Sequence, residues 1–500
     1  RSSSGWEACR STRSLAIRPS PCYPPEIPKS QIIYSTSLDR GEVKYMSSYA
    51  QGLAGIVAEA RELELPPATP RHDIVDSLPE PAAFNLVHII TGVRRCGKTF
   101  YAFQLMRRLL DRGVSRDRVF YFNFADDRLR PSPTTLLSDV VEEYWRQVPA
   151  ARREGAYLFL DEVQEAGRWQ GFCQRMAEHE RVTLVVTGSS SRMSADEIAT
   201  TFRERSQEHG MMPLSFREYC AFHHVGVPSP EEARAGAVSP QDRTTLEGAF
   251  DRFLIEGGFP GVQTLSHGSR IQMLQAYTRD VVARDVVERY RRIGIDLANQ
   301  VALYDLRNTA CELSVNNLVE SLRSVGHRTS WETVHETIRL FEQAHLLDLL
   351  PEHSTSLSPR STAQQKAYAV DQGMAYAVSR ANQQDVGKRL ETAAYLELKR
   401  RLAGSLIETI TSYTTLTRSR EKVDFLVGDV LGTSPYRLYQ VTADMSAERT
   451  CRRELGSLEI AMRETKIERG CVITLREERT VKTGSGSVMI VPAWKWFLGA

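Results

Sequence analysis

A glycine-rich motif at residues 92–99 constrains the fold of this chain more than any other feature. Gly92 is followed by four residues and then by Gly97, Lys98 and Thr99, which is the G-x-x-x-x-G-K-[ST] pattern of a phosphate-binding loop. The two glycines permit a tight turn in which several backbone N–H groups face one anion. Lys98 adds a positive charge at the β- and γ-phosphates, and the Thr99 hydroxyl is suited to ligate Mg²⁺. The motif therefore predicts a site for a nucleotide and its metal ion.

The sequence on either side of the motif supports this interpretation. An apolar run ends at Thr91, as expected of a buried strand, and residues 100–110 have the pattern of a helix whose N-terminus would point at the phosphates. A chance match in a glycine turn would lack this frame of strand, loop and helix. The residues predicted to contact ATP are Gly92, Val93, Arg94, Arg95, Cys96, Gly97, Lys98, Thr99 and Phe100.

Apolar runs and helical patterns alternate through the next hundred residues. Because continuous apolar runs are typical of strands that are buried on both faces, the alternation predicts a parallel sheet covered by helices. The predicted fold class is accordingly α/β, with the sheet of a P-loop nucleotide hydrolase. The predicted strands after the loop cover residues 118–124, 157–160 and 182–186, and the predicted helices cover residues 136–148 and 172–179.

Polar residues suited to catalysis follow two of these strands. Asp161 is predicted to hold Mg²⁺ through water, and Glu162 to orient or deprotonate the attacking water, which typically contributes ~10²–10⁴ in rate. The alternative, a surface pair of acidic residues, is disfavoured by the phosphate loop upstream. Ser189 or its neighbour Ser190 stands where a γ-phosphate sensor would lie, although a simple Gly-Ser turn explains these residues equally well.

Length and composition limit the class of protein. A chain of 500 residues is too long for one core and predicts three or four domains. The net charge of +2 argues neither for nor against nucleic acid, and no apolar run approaches the ~18 residues of a membrane helix. The eight cysteines are scattered without a C-x-x-C pair, which favours reduced thiols in the cytoplasm and disfavours a disulfide framework or a zinc site.

The first 84 residues differ from the rest. Residues 1–45 are rich in Ser, Arg and Pro and lack an amphipathic period, so they are a targeting peptide, a disordered tail or a translated upstream leader. We favour the leader, with the native start at Met46, because the codons of residues 41–43 can spell a ribosome-binding site. Residues 46–84 are predicted to form one helix, at 51–63, and a linker broken by prolines.

Several motifs together resemble the prokaryotic AAA-family ATPases that are often called archaeal-type, in which a C-terminal domain of unknown function follows the ATPase. The resemblance implies an AAA-type core at residues 85–225. It also implies that Arg205 is an arginine finger or sensor, with a solvated helix arginine as the alternative. The motifs are the arginine-containing loop at 92–99, Leu-Asp-Glu-Val-Gln at 160–164, Thr-Gly-Ser-Ser at 187–190 and Pro-Leu-Ser-Phe-Arg-Glu-Tyr at 213–219.

The resemblance also organises the middle of the chain. Residues 226–295 are expected to be a helical lid or linker, in which Glu256, Arg284 and Asp285 contact the nucleotide face or form structural ion pairs. Residues 296–380 are expected to be a winged-helix domain, since two helical patterns there each begin after a serine. The second of these helices has few basic residues, so binding to a protein is expected no less than binding to DNA.

The last segment, residues 385–500, resembles a restriction-endonuclease-like fold. In that fold a helix carboxylate, a strand carboxylate and an acid-x-Lys triplet hold Mg²⁺ and activate water. Glu391 and Asp424 match the first two positions, but the third reads Gln-Val-Thr at residues 440–442. Lys422 is the one candidate for a migrated lysine. We therefore expect a degenerate nuclease fold that is used for binding.

The combined expectation is a cytoplasmic ATPase that hydrolyses ATP with Mg²⁺ as a conformational switch. The switch would be coupled to the winged-helix and nuclease-like domains, and assembly into an oligomer is left open. One alternative is a DNA- or protein-binding regulator that binds nucleotide with little turnover. The other is an ATP-dependent nuclease.

Overall fold

The computed structural model describes the backbone from residue 40 and side chains from residue 49, with gaps at 73, 131, 189–201, 203–204, 289, 291, 354–364, 404, 406–407, 430–435 and 500. The chain separates into two compact units, Arg1–Gln51 and Gly52–Ala500. Helix α1, Arg40–Arg61, begins earlier than the predicted helix at 51–63. The predicted leader at 1–45 lies almost entirely outside the described residues, so it stays a prediction.

A five-stranded parallel sheet follows α1, in the spatial order β2-β3-β4-β1-β5. Strands β1 to β4 are apolar and almost wholly buried, as the continuous apolar runs predict. The edge strand β5 was not predicted, because its sequence Ser-Gln-Glu-His-Gly is polar and largely exposed. The strands are β1 Val87–Thr91, β2 Val119–Asn123, β3 Ala156–Asp161, β4 Val182–Thr187 and β5 Ser206–Gly210.

Helices cover this sheet and confirm the predicted α/β class. The first of them, α2, begins at Lys98 and packs Tyr101, Phe103 and Met106 into the core beside β1 and β2. The helices of this part are α2 Lys98–Asp111, α3 Leu136–Gln147, α4 Pro149–Glu154 and α5 Trp169–His179. No helix among the described residues combines the length and the apolar character that crossing a membrane requires.

The middle of the chain is mostly helical and carries a small antiparallel sheet, in the order β6-β8-β7. Both predicted capped helices are present, since the hydroxyls of Ser314 and Ser330 accept N–H bonds in the first turns of α11 and α12. The strands are β6 Cys311–Glu312, β7 Leu347–Leu350 and β8 Lys366–Ala369. The helices are α6 Phe216–Phe222, α7 Pro230–Arg234, α8 Pro240–Glu256, α9 His267–Asp280, the π-helix Val281–Val287, α10 Ile295–Arg307, α11 Val315–Ser324, α12 Trp331–Gln343, α13 Gln372–Val378 and α14 Arg380–Gln384. Their assignment to a lid and a winged helix stays a prediction.

The last segment is built on a six-stranded mixed sheet, in the order β13-β14-β12-β11-β10-β9. Strands β11, β12 and β14 run parallel, and the other pairings are antiparallel. The strands are β9 Glu408–Thr414, β10 Lys422–Asp429, β11 Arg437–Val441, β12 Arg469–Thr474, β13 Arg479–Thr483 and β14 Gly486–Pro492. The helices are α15 Val386–Arg401, α16 Glu448–Thr465 and α17 Ala493–Phe497.

An aromatic cluster joins these parts. The rings of Phe216 in α6 and Phe250 in α8 meet edge to face, with centroids 4.9 Å apart. Phe497 in α17 packs on Phe250 at 4.9 Å and on Phe216 at 6.5 Å. Such pairs contribute about 0.5–1.5 kcal/mol beyond the area that they bury. The phenylalanine of the Pro-Leu-Ser-Phe box therefore acts as a core residue that fixes the end of the chain.

A buried ion pair ties the linker before β1 to the phosphate loop. The Arg71 guanidinium donates to Glu218 Oε1 at 2.8 Å, to the Cys96 carbonyl at 2.7 Å and to the Met212 carbonyl at 2.8 Å. Burial alone would raise the pKa of Glu218, but Arg71 and the N–H groups of Ser215 and His72 lower it to about 2. Neither side chain is more than 10% exposed, so the pair is screened little by water.

Replacing this carboxylate should destabilise the fold in a pH-dependent way. We expect Glu218→Gln to cost about 3–5 kcal/mol at pH 7, because it leaves the Arg71 charge buried without its partner. The folded-state pKa of about 2 is below the ordinary 4.5, so this stabilisation is complete above about pH 4.5 and is lost as the pH falls toward 2. The difference in urea-unfolding free energy between wild type and variant should shrink over that range.

Helix α7 offers the matched control for this experiment. Glu218 and Ser215 form a capping box at the start of α6, and Glu232 and Ser229 form the equivalent box in α7, where Glu232 is exposed. Glu232→Gln should therefore change the unfolding free energy far less than Glu218→Gln. Equal effects of the two substitutions would show that the Arg71 contact contributes nothing.

Candidate nucleotide-binding site

The residues of the predicted site meet at one edge of the five-stranded sheet. Strands β1, β3 and β4 run parallel, so the residues that end them, Thr91, Asp161 and Thr187, lie at the same edge. Ligands in open α/β sheets bind outside the carboxyl ends of the strands. The phosphate loop leaves β1 at this edge and enters α2.

The loop has the backbone conformation that its glycines permit. Gly92 has φ of +148°, and a Cβ there would lie 2.2 Å from the Met211 carbonyl oxygen, so no larger residue fits. Gly97 has φ of +108° and directly precedes the first residue of α2. The N–H of Met211 donates to the Thr91 carbonyl at 2.8 Å, which places the end of β5 beside the loop.

Lys98 lies inside the loop. Its Nζ donates to the carbonyl oxygens of Gly92 at 3.0 Å and Val93 at 3.2 Å, and the residue is 5% exposed. The ammonium group is therefore held across the turn by the backbone of the loop itself. A phosphate seated on the loop would offer that ammonium a charged acceptor in place of neutral carbonyls.

Asp161 collects hydroxyl groups from three elements. It accepts from Thr99 Oγ1 at 2.8 Å, from Tyr121 OH at 2.8 Å and from Thr187 Oγ1. The carboxylate is almost wholly buried, at 1% exposure. Burial and the neighbouring Asp161 charge raise the pKa of Tyr121 above its usual range, so the phenol remains a proton donor.

The donor set around Asp161 fits Mg²⁺. A carboxylate and a hydroxyl are hard oxygen ligands, and protein Mg²⁺ sites commonly use one or two such groups together with water and phosphate oxygens. No cluster of three or more His, Cys, Asp or Glu side chains that could hold a metal occurs in the part of the chain that the structure describes. The Thr99 hydroxyl and the Asp161 carboxylate are the groups of this site that would hold the ion.

Glu162 follows Asp161 in a left-handed conformation, with φ of +51°. Its N–H donates to Thr187 Oγ1 at 3.3 Å, and its carboxylate accepts from Gln164 Nε2. Sequence reasoning recorded Gln164 only as part of a motif, and the structure adds its contact with Glu162.

The two arginines of the loop pair with one helical element. Arg94 Nε donates to both carboxylate oxygens of Asp285, at 3.0 and 2.9 Å. Arg95 pairs with Asp280 at 2.7 Å and stacks on the Tyr277 ring at 4.3 Å. Asp280 ends α9 and Asp285 lies in the π-helix that continues it.

Two of the three residues expected in the lid, Asp285 and Glu256, form ion pairs in the structure. Asp285 forms an ion pair with the phosphate loop. Glu256 accepts from the Tyr219 hydroxyl at 2.6 Å and pairs with Arg270 at 3.0 Å, as expected of a structural ion pair. Arg284 is exposed.

A cavity of about 430 Å³ adjoins Gly92 and Val93. Its far wall comes from the middle and last segments of the chain and includes His345, Tyr395 and Lys399. Burial, then the Lys399 charge, lowers the pKa of His345 to about 4, and the Lys98 charge acts in the same direction. The imidazole is therefore neutral at physiological pH, next to the loop.

Two predicted site residues are not brought together with the rest. Arg205 is exposed, pairs with Glu178, and accepts the N–H of Val87 at its carbonyl at 3.0 Å. Since Val87 begins β1, Arg205 lies at the opposite edge of the sheet from Asp161. The structure therefore does not place Arg205 beside the phosphate loop of its own chain, and its role as a finger or sensor stays a prediction. Ser189 lies outside the described residues.

A second polar cluster joins Glu391 and Asp424, the two carboxylates singled out in the sequence, with an unexpected third member. Glu391 in α15 and Asp424 in β10 come together, and Lys366 Nζ lies between them, at 2.8 Å from Glu391 Oε1 and 2.9 Å from Asp424 Oδ1. The Tyr368 hydroxyl also donates to Glu391, at 2.7 Å. Burial alone would lower the pKa of Lys366, but the two carboxylates raise it, so the amine is charged.

Nothing in the sequence indicated that Lys366 joins these carboxylates, and the lysine considered for this position was Lys422. Lys422 pairs with Glu312 and does not enter the cluster. Lys366 comes from β8 of the three-stranded sheet, far from β10 in sequence, so motif spacing gave no signal for it. The third motif position, Gln440, contacts the cluster indirectly, because its side-chain oxygen accepts the Asp424 N–H at 3.3 Å.

Two stretches of the chain match known sequence families. Residues 85–220 match an AAA domain, and residues 247–385 match a domain of unknown function (DUF8612). The first match contains the phosphate loop, Asp161 and Glu162. The second spans most of the expected lid and the expected winged helix, includes Asp280 and Asp285, and ends where the expected nuclease-like segment begins.

The chain also resembles individual proteins over most of its length. An uncharacterised protein of Methanocaldococcus jannaschii is 28% identical over 426 residues, which cover 83% of this chain and 88% of that protein. An uncharacterised protein of Haemophilus influenzae is 23% identical over 317 residues, which cover 63% and 75%. The solved Walker-type ATPase of Pyrococcus abyssi is 12% identical, with a TM-score of 0.36, covering 68% of this chain and 97% of that one.

The loop geometry, the Thr99–Asp161 contact and the family match agree with one another. They confirm the resemblance to AAA ATPases that the motifs predict, for the segment that the match covers. Residues 85–220 thus match the AAA domain and carry its phosphate loop, and a match to a domain of unknown function follows at residues 247–385.

Proposed function

We propose that this protein binds ATP with Mg²⁺ at residues 92–99 and hydrolyses it. The observation that carries the proposal is the contact of Thr99 with Asp161, at 2.8 Å, beside the N-terminus of α2 and next to Glu162. Binding alone would require the loop and Lys98. A carboxylate placed directly after the metal-holding residue is what the chemical step needs in addition.

Each residue has a defined role in this proposal. The backbone N–H groups of the loop and the Lys98 ammonium bind the phosphates. Thr99 and Asp161 hold the Mg²⁺, which neutralises charge on the β- and γ-phosphate oxygens when it is bound. Glu162 orients the attacking water and accepts its proton. Gln164 donates to one oxygen of the Glu162 carboxylate, which leaves the other oxygen for the water.

The proposed use of hydrolysis is a conformational switch. The loop touches the domain at residues 247–385 through Arg94 and Arg95, and the cavity beside Gly92 is walled by later segments. A change in the loop on nucleotide binding would therefore act directly on those contacts. A client, DNA or protein, would bind through the expected winged-helix and nuclease-like domains, and the protein would act in the cytoplasm, where its cysteines stay reduced.

The nuclease alternative is disfavoured by Lys366. The ammonium group sits between Glu391 and Asp424, the two carboxylates that would have to share a metal ion. We accordingly propose that residues 385–500 bind a partner and do not cleave DNA. Mg²⁺-dependent cleavage by the wild type that is lost in Asp424→Ala would overturn this assignment.

Glu162→Gln should bind ATP with Mg²⁺ but hydrolyse it at least ~10²-fold more slowly, because the proton acceptor is lost while Asp161 still holds the metal.

Lys98→Ala should lose ATP binding or turnover, since the side-chain cation at the phosphates is gone. Equilibrium binding of a fluorescent ATP analogue and phosphate release measure the two effects. Wild-type turnover in Glu162→Gln, or a wild type that binds ATP without turnover, would favour the regulator without hydrolysis.

Lys366→Met should destabilise the chain by about 3–5 kcal/mol, because it leaves two buried carboxylates facing each other. Lys422→Met is the matched control, since Lys422 pairs with Glu312 at the surface and is 52% exposed. Removing an exposed pair of that kind costs about 0–1 kcal/mol. Urea unfolding compares the two variants. Similar unfolding midpoints would show that the ion pairs of Lys366 do not stabilise the fold.

A further inference from the structure

ATP hydrolysis is accelerated by a cation that neutralises charge on the γ-phosphate oxygens in the transition state. Arg205 lies at the far edge of the sheet, and Lys98 is committed to the phosphates. We infer that Arg94, within the same chain, supplies this charge at the γ-phosphate and that Asp285 positions it. The inference rests on the proposed ATPase function and assigns two further residues to it.

The hydrogen bonds of Arg94 leave the two terminal nitrogens of its guanidinium available. Only Nε is engaged, by the two oxygens of Asp285. Among the described residues no protein group accepts from the two terminal nitrogens, and the side chain is 18% exposed. A guanidinium presents five N–H donors in a fixed fork, so four remain for phosphate oxygens.

The position of Arg94 supports the same role. It lies in the loop between Gly92 and Gly97. Burial alone would lower the pKa of Arg94, but Asp285 and, to a lesser degree, Glu162 and Glu165 raise it, so the guanidinium stays charged. Its neighbour Arg95 instead turns to Asp280 and Tyr277 and is 45% exposed.

Asp285 has the properties of a positioning residue. Its side chain is 2% exposed, and it lies in a π-helix, an irregularity that frequently marks functional sites. Both Asp285 carboxylate oxygens accept the Nε–H of Arg94, which restricts the guanidinium to a narrow range of orientations. Since Asp285 belongs to the domain at residues 247–385, movement of that domain would move the Arg94 charge and so alter the rate of hydrolysis.

The atoms of the reaction balance without a covalent role for either residue. The water oxygen bonds to the γ-phosphorus, and its proton passes to Glu162. The bond from that phosphorus to the β–γ bridging oxygen breaks, and ADP keeps the electron pair. Arg94 transfers no atom and acts by neutralising charge on the γ-phosphate oxygens, a type of contribution worth about 10³–10⁵ in rate for arginine fingers.

The test compares Arg94→Gln, Asp285→Asn and the double variant in the full chain. Arg94→Gln should lower kcat at least ~10²-fold while the affinity for ADP changes less than about threefold. It should also lose the extra affinity that ADP gains with aluminium fluoride, a transition-state analogue, in calorimetric titrations. Asp285→Asn should lower kcat about tenfold, and the double variant should be no slower than Arg94→Gln, because Asp285 acts through Arg94.

Asp280→Asn is the matched control, because it removes the carboxylate of the adjacent exposed pair and should leave kcat within about threefold of wild type. Thermal unfolding of each variant identifies loss of folding, and Arg94→Lys, which keeps one charge, should still lose at least about tenfold in kcat. If the wild type hydrolyses ATP and Arg94→Gln matches it, the inference is wrong and the ATPase proposal stands. If Arg205→Ala instead loses the aluminium fluoride complex, the cation comes from a neighbouring subunit. A wild type without turnover contradicts the ATPase proposal itself.

Discussion

The carboxylate of Asp161 is the interaction on which the site depends. Thr99 in α2, Tyr121 in β2 and Thr187 in β4 all donate hydroxyl groups to it, so the loop helix is fastened to three strands at one point. A buried charge is costly unless it is fully hydrogen-bonded, and these three donors offset that cost. Each of the four residues is therefore both structural and, in the proposed function, close to the metal and the γ-phosphate.

Arginines in and beside the phosphate loop connect it to later segments of the chain through ion pairs. Arg71 pairs with Glu218, Arg94 with Asp285 and Arg95 with Asp280, so carboxylates from segments that follow the five-stranded sheet contact arginines in or beside the loop. In the proposed function, a nucleotide that alters the loop would act on these contacts, two of which join the loop to the domain at residues 247–385.

The parts of the fold that could be predicted from sequence are those with a local signal. The phosphate loop, the buried strands and the Asp161–Glu162 pair each follow from a run of fewer than ten residues whose chemistry is self-contained. Strand β5 escaped because an edge strand in this position is polar and lacks an apolar pattern. Arg205 was assigned from a family motif, and its place directly before β5, beside the first residue of β1, puts it at the end of the sheet opposite to Asp161, which a local motif could not indicate.

The contacts that could not be predicted are those between distant segments. Nothing in the spacing of Lys366 connects it with Glu391 and Asp424, because the connection depends on how two sheets pack. The same holds for Arg71 with Glu218 and for Arg94 with Asp285. In all three cases a side chain that reads as an ordinary surface charge in the sequence becomes half of an ion pair that is largely or wholly buried.

The central claim is that the residues joined at Asp161 form an ATP site. A crystal structure of the full chain with Mg²⁺ and a non-hydrolysable ATP analogue tests it most directly. We predict that Lys98 Nζ leaves the carbonyls of Gly92 and Val93 for the β- and γ-phosphates, and that Thr99 Oγ1 turns from Asp161 to the metal. A nucleotide bound elsewhere, or a loop in which the Lys98 and Thr99 contacts are unchanged, would contradict the account.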